Sequence, residues 1–210
     1  MRKPTADQVA ASLDKWIPAK RVLSFEAGWN VRGRPWSNGI RATTVHHWAG
    51  GGDGAAAWMA QQGTSAYPYC NIIVRRDGRV RLLSALSAWH SGAGGPYGKA
   101  GIPANAGHLM MFGIEMEGPL KYTPYGVDDM TDVQWKRVAQ INCAIREVAG
   151  PVAFPGFNRV ISHQCWTDGC HGVSKNPLPT RGRKNDVWRN IREVRAEARE
   201  FWQKKNPKEQ

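Results

Sequence analysis

The chain is poor in cysteine, with four in 210 residues, and poor in acid, with 17 Asp and Glu against 29 Lys and Arg. Nowhere does it hold the roughly 20 consecutive apolar residues that a membrane-crossing helix needs. No apolar leader stretch follows the basic start Met1-Arg2-Lys3 either. These absences argue against a membrane-spanning protein and against a secreted disulfide scaffold. They lead us to expect a chain made in the cytoplasm whose cysteines, Cys70, Cys143, Cys165 and Cys170, are thiols. The shortage of acid leaves a net charge of +12, which suits a polyanionic partner: nucleic acid, anionic membrane or anionic wall polymer. No nucleic-acid motif accompanies the charge and the basic residues are scattered, so nucleic acid is not expected as the partner. No internal repeat is present.

What the sequence does have is enough apolar residue, 41%, and enough length to bury one sizeable core. Ten tryptophans exceed what a core of this size needs and suit a groove that stacks on sugars or peptides. Thr5 and Gln8 form a capping box before a short helix, and Thr131 and Gln134 form another before a longer one that Gly150-Pro151 stops. Strands are expected near residues 21–25, over 40–46, over 110–116 and over 159–162. Residues 69–76 and 79–83 flank Asp77-Gly78 and read as a hairpin. Helices are expected over 55–62 and 187–203. The alternation of strands and helices predicts an α/β fold, a single domain with a mixed central sheet flanked by helices. We divide it into an N-terminal extension, 1–39, packed on a catalytic domain, 40–205, with a basic tail, 206–210.

Chemistry-bearing residues cluster at strand ends and in the long loop that follows residue 163. His46 and His163 each follow an apolar β run, and Asp186 lies beyond the loop. Two histidines and a carboxylate can hold a zinc ion with a fourth position open to water; singly, each histidine also reads as an ordinary loop or core residue. His47 points to the opposite face of its strand from His46. Glu115 is a carboxylate inside an apolar strand, where burial would raise its pKa toward proton-transfer range, and Glu117 is the weaker candidate for that role. Lys184 could stabilise an oxyanion, or belong to a solvated basic patch with Arg181 and Arg183. A closed structural zinc among His163, Cys165, Cys170 and His171 is the less favoured use of that cluster, and a Cys165–Cys170 disulfide formed after release from the cell is left open.

Taken in order, these pieces resemble the zinc-dependent N-acetylmuramoyl-L-alanine amidases, a family that includes phage amidase lysins and resembles peptidoglycan recognition proteins. The resemblance spans roughly residues 40–190 and rests on TVHHWAG, NIIVRRDGRV, AWHSGAG, FGIEMEG, ISH and GRKNDVW. It implies one catalytic Zn2+ held by His46, His163 and Asp186, with Glu115 as general acid/base and Lys184 stabilising the tetrahedral oxyanion. It further implies a substrate groove involving His47, Tyr69, Asn71, Trp89 and His90. The implied reaction is hydrolysis of the amide between N-acetylmuramic acid and L-alanine in bacterial peptidoglycan. A phage endolysin fits best: a monomer made in the host cytoplasm, released to the wall by a holin and drawn to anionic wall polymer. A non-catalytic peptidoglycan-binding module on the same fold is the alternative. Two departures stand out. Cys70 occupies the position where many relatives carry tyrosine, and the loop over 164–183 is long.

Overall fold

The structure, a computed structural model, describes residues 3–17, 22–48, 58–60, 68–118, 130–167 and 191–207. Its core is a six-stranded sheet. In chain order the strands are β1 (Leu23–Phe25), β2 (Ala42–Trp48), β3 (Ile72–Val74), β4 (Val80–Leu82), β5 (Met111–Glu117) and β6 (Val160–Ser162). Across the sheet the order is β1-β4-β3-β5-β2-β6. All neighbours run parallel except β3 and β4, which form the expected hairpin. Gly78 closes the turn at φ +82°, a conformation that costs glycine nothing, and the side chain of Val133 leaves no room for a Cβ there.

Three helices cover one face: α1 (Ala6–Trp16), α3 (Asp132–Ala149) and α5 (Ile191–Lys205), while the short α2 (Gly107–Met110) and α4 (His163–Thr167) lead into β5 and out of β6. Both capping boxes form as reciprocal bonds. Thr5 Oγ1 accepts from Gln8 N at 3.3 Å while Gln8 Oε1 accepts from Thr5 N at 3.1 Å. Thr131 and Gln134 repeat the pattern at 3.3 and 3.0 Å. Twelve of the 18 residues of α3 are buried, more than one apolar stripe would bury, so this helix is sandwiched between the sheet and its neighbours. Towards the sheet it packs in one cluster with Val45, Ile72, Val74, Ile114, Met116 and Val160. Each such side chain contributes about 1.5–3 kcal/mol by leaving water.

On the outer side of α3, the Glu147 carboxylate accepts from Ser12 Oγ, Trp16 Nε1 and Lys15 Nζ of α1, at 2.9, 2.5 and 2.5 Å. Burial alone would raise the Glu147 pKa, but these donors outweigh it and hold the carboxyl below its ordinary range. Helix α5 closes the layer: Cys143 Sγ lies 3.2 Å from Ala198 O. Trp202 stacks on Trp16 with centroids 5.5 Å apart, and the Arg146 guanidinium lies 4.1 Å from the Trp202 ring centre.

Several boundaries differ from expectation. The strand expected over 40–46 starts at Ala42 and runs on to Trp48, because its pairing with β5 continues to Glu117. Of the helix expected over 55–62, residues 58–60 are described and are helical. The last helix is described from Ile191, and residues 187–190 lie outside the described set. Cysteine chemistry needs a correction: Cys165 is disulfide-bonded, whereas Cys70 and Cys143 are free and buried. Residues before position 40 supply α1 and the edge strand β1 to the same sheet and core. Among the described residues no helix is long and apolar enough to cross a membrane.

Candidate active site

Strand alternation sends the two sets of side chains of β2 and β5 to opposite faces. Val45, Ile114 and Met116 go to the helices, and His46 and Glu115 go to the other side. The parallel register pairs His46 with Glu115 directly, and Val45 with Ser162. His163, the next residue after β6, therefore arrives beside His46, and their ring centroids are 4.5 Å apart. His46 is 3% exposed, and its Nδ1 lies 3.9 Å from Glu115 Oε1.

A third imidazole completes the arrangement. His90 Nδ1 is 3.1 Å from His46 Nε2, and His90 Nε2 is 2.8 Å from the Met111 carbonyl oxygen. The ring lies flat over Gly113, where any Cβ would overlap it. His163 Nε2 sits 3.2 Å from the carbonyl oxygen of Ser91. Burial pushes the pKa of His46 well below its ordinary value, and the neighbouring His163 and His90 push it the same way. Burial likewise brings His90 down to about 4, against the hydrogen bond to Met111, which acts upward. Both rings are neutral at neutral pH and so offer lone pairs.

That donor chemistry fits a borderline-soft divalent ion such as zinc, which prefers neutral imidazole. Among the described residues no three His, Cys, Asp or Glu side chains gather as a metal-binding group. The third expected ligand, Asp186, lies outside the described residues, as do Lys184, Cys170 and His171.

The remaining expected site residues are scattered. His47 turns away from His46 and packs against Gly118. Tyr69 is 40% exposed with its ring 5.7 Å from that of Trp58, and Trp89 is 49% exposed with its ring 4.5 Å from that of His108. The Trp89 amide donates to Pro68 O at 2.7 Å, which ties the two aromatic pairs together. Asn71 does not line a groove. It is fully buried; its Nδ2 donates to Ser84 O and Leu86 O at 3.0 and 2.5 Å, and its Oδ1 accepts from Gly113 N at 2.8 Å. His90 is 8% exposed and lies against His46. Glu117, the weaker acid/base candidate, accepts from Arg76 N at 3.0 Å and from Arg75 Nε at 3.4 Å, so it fastens the hairpin to β5. Cys70, at the position of the missing tyrosine, is buried in an apolar pocket with Met59, Ile73 and Leu83. Burial raises its thiol pKa, as does the Glu115 charge. Trp58, inside the helix expected over 55–62, and His108, in the stretch after the Gly-rich loop, were not anticipated.

Compared with known proteins, residues 36–186 match the family described as N-acetylmuramoyl-L-alanine amidase. No curated protein matches the chain. Among solved structures, the chain is similar to a selenomethionine derivative of AmpD, at 19% identity and TM-score 0.47 over 81% of this chain and 98% of that one. It is also similar to the endolysin amidase LysCS from Clostridium intestinale, at 14% identity and TM-score 0.45 over 84% and 95%. AmpD from Citrobacter freundii, solved in solution, gives 18% identity and TM-score 0.44 over 80% and 93%.

Proposed function

Because this chain belongs to the N-acetylmuramoyl-L-alanine amidase family, we propose that it hydrolyses the amide joining the lactyl group of N-acetylmuramic acid to L-alanine in bacterial peptidoglycan, with one zinc ion held by His46, His163 and Asp186. The observation that carries this reading is the meeting of His46, His163 and Glu115 on the face of the sheet opposite α1, α3 and α5. Zinc, when bound, would acidify water and polarise the scissile carbonyl. The chain's own part is proton handling and charge. Glu115, through Oε1, takes the proton of the attacking water and returns it to the departing alanine nitrogen. Lys184 balances the oxyanion that forms at the carbonyl carbon. The exposed rings of Trp58, Tyr69 and Trp89 offer flat apolar surface to sugar and peptide.

The net charge of +12 supports attraction to anionic wall polymers, and we read the protein as a monomeric phage endolysin that reaches the wall from the host cytoplasm after holin release. Expression in a bacterial host with and without a holin tests that part: lysis only in its presence is expected.

The activity is tested by zinc content and wall hydrolysis measured together for the wild type and Asp186→Ala. One zinc per chain and release of L-alanine amino termini, both lost in the variant, are expected. Zinc retained at full occupancy in Asp186→Ala would remove that residue from the ligand set. Binding to walls without release of amino termini would leave a peptidoglycan-binding module.

A further inference from the structure

His90 and Ser91 belong to no ligand set, yet each reaches one nitrogen of a proposed zinc ligand. His90 Nδ1 lies 3.1 Å from His46 Nε2, and the Ser91 carbonyl oxygen lies 3.2 Å from His163 Nε2. Where the protons sit follows from what a carbonyl can do, which is accept. The Met111 oxygen, 2.8 Å from His90 Nε2, requires a proton on that nitrogen. In a neutral His90 the Nδ1 is then bare, so the proton in the bond to His46 belongs to His46 Nε2. The Ser91 oxygen likewise requires a proton on His163 Nε2. An imidazole that binds a metal is neutral and carries one N–H, so in both His46 and His163 the lone pair a metal would take lies on Nδ1. Glu115 Oε1, at 3.9 Å from His46 Nδ1, is too far to accept a hydrogen bond from it.

We infer that His90 and Ser91 form a two-point clamp that fixes His46 and His163 in the Nε2–H tautomer and presents both Nδ1 atoms to the metal. The inference rests on the zinc reading above. His90 acts through its side chain and Ser91 through its main chain, and both are positioning residues. Their own seats are built into the fold. Gly113 has no Cβ because the His90 ring lies over it, and Gly107 has none because one would overlap Ser91. The Gly113 amide is in turn held by Asn71 Oδ1 at 2.8 Å. Two ligands, one on β2 and one just after β6, are thus oriented by two consecutive residues of one loop, so a single shift of that loop would misalign both.

The test reads tautomers in metal-free protein by long-range proton–nitrogen NMR at neutral pH, then zinc affinity by competition with a chelator. In the wild type, His46 and His163 are each expected with a protonated Nε2 and a bare Nδ1 before any zinc is added. His90→Gln, whose amide can accept from His46 and donate to Met111, should retain the His46 tautomer. His90→Leu should give mixed tautomers at His46, leave His163 unchanged, and weaken zinc binding about 10–100-fold, against about threefold or less for the glutamine variant. A proton on Nδ1 of His46 in the metal-free wild type would overturn the clamp. So would a folded His90→Leu with wild-type zinc affinity; should that variant fail to fold, the wild-type tautomers and His90→Gln decide. The expected affinity pattern in a protein that releases no L-alanine termini would uphold the clamp and sink the amidase reading. A wild type that binds no zinc would remove the purpose assigned to the clamp.

Discussion

His46 and Glu115 are register partners on adjacent parallel strands, and their polar ends stop 3.9 Å apart, too far to share a hydrogen bond. In the mechanism proposed above, this spacing would separate two jobs: the imidazole would keep its lone pair for a metal, and the carboxylate its oxygens for proton transfer. Glu115→Gln, nearly isosteric, is therefore expected to retain zinc while lowering kcat by about 10²–10⁴-fold, the usual contribution of a positioned acid/base. Metal analysis beside initial rates of amino-terminus release checks it. Loss of zinc from this variant would make Glu115 a ligand instead.

Trp89 presents 49% of its surface beside the buried His90. Its ring can bind substrate without touching the reacting atoms, and such uniform binding changes KM and leaves kcat alone. Trp89→Ala should raise KM for a soluble muropeptide by about tenfold or less, the worth of one aromatic contact. A drop in kcat at unchanged KM would show that the ring shapes the reaction centre.

Asn71 joins three backbone groups of two segments through one buried amide. Asn71→Ala leaves the Gly113 amide and two carbonyls without that partner, which should cost about 1–3 kcal/mol for each group left unsatisfied. Urea unfolding measures the loss. An unchanged midpoint would mean that water takes over the amide's bonds.

Glu147 carries a pH signature. Its folded pKa is depressed, so its stabilising contribution is complete above the ordinary value of 4.5 and disappears as pH falls through the lower folded value. At pH 7, Glu147→Gln should be less stable than wild type by about 1–2 kcal/mol, a range kept low because the carboxylate is about one-third exposed. Thermal melts of both proteins should converge as pH drops below 4.5. A gap that stays constant to low pH would attribute the effect to packing.

How far these features could be read in advance depended on what each side chain binds. The capping boxes pair two side-chain types at a fixed spacing, so Thr5 with Gln8 and Thr131 with Gln134 were legible before any fold was known. His46 and Glu115 were legible as polar interruptions of apolar strands, since alternation fixes their face. The hydrogen bonds of His90, Asn71 and Glu117 were not legible because their partners are wholly or partly main chain: Met111 O, Gly113 N and Arg76 N. Backbone groups exist at every position and leave no trace in a pattern of side chains. The state of Cys165 was not legible for another reason, because a low cysteine count predicts reduced thiols only on average.

The stack of Trp202 on Trp16 joins the last helix to the first, and this has a consequence for the growing chain. Every strand of the sheet is synthesised before residues 191–205 leave the ribosome. Until then Trp16 lacks the ring it stacks on, and Cys143 on α3 lacks the Ala198 carbonyl beside it. The nascent protein thus carries an open apolar seam on its helical side until residues 191–205 arrive. Ribosome-bound intermediates should expose that seam to chaperones, and the final helix is the segment that ends their hold.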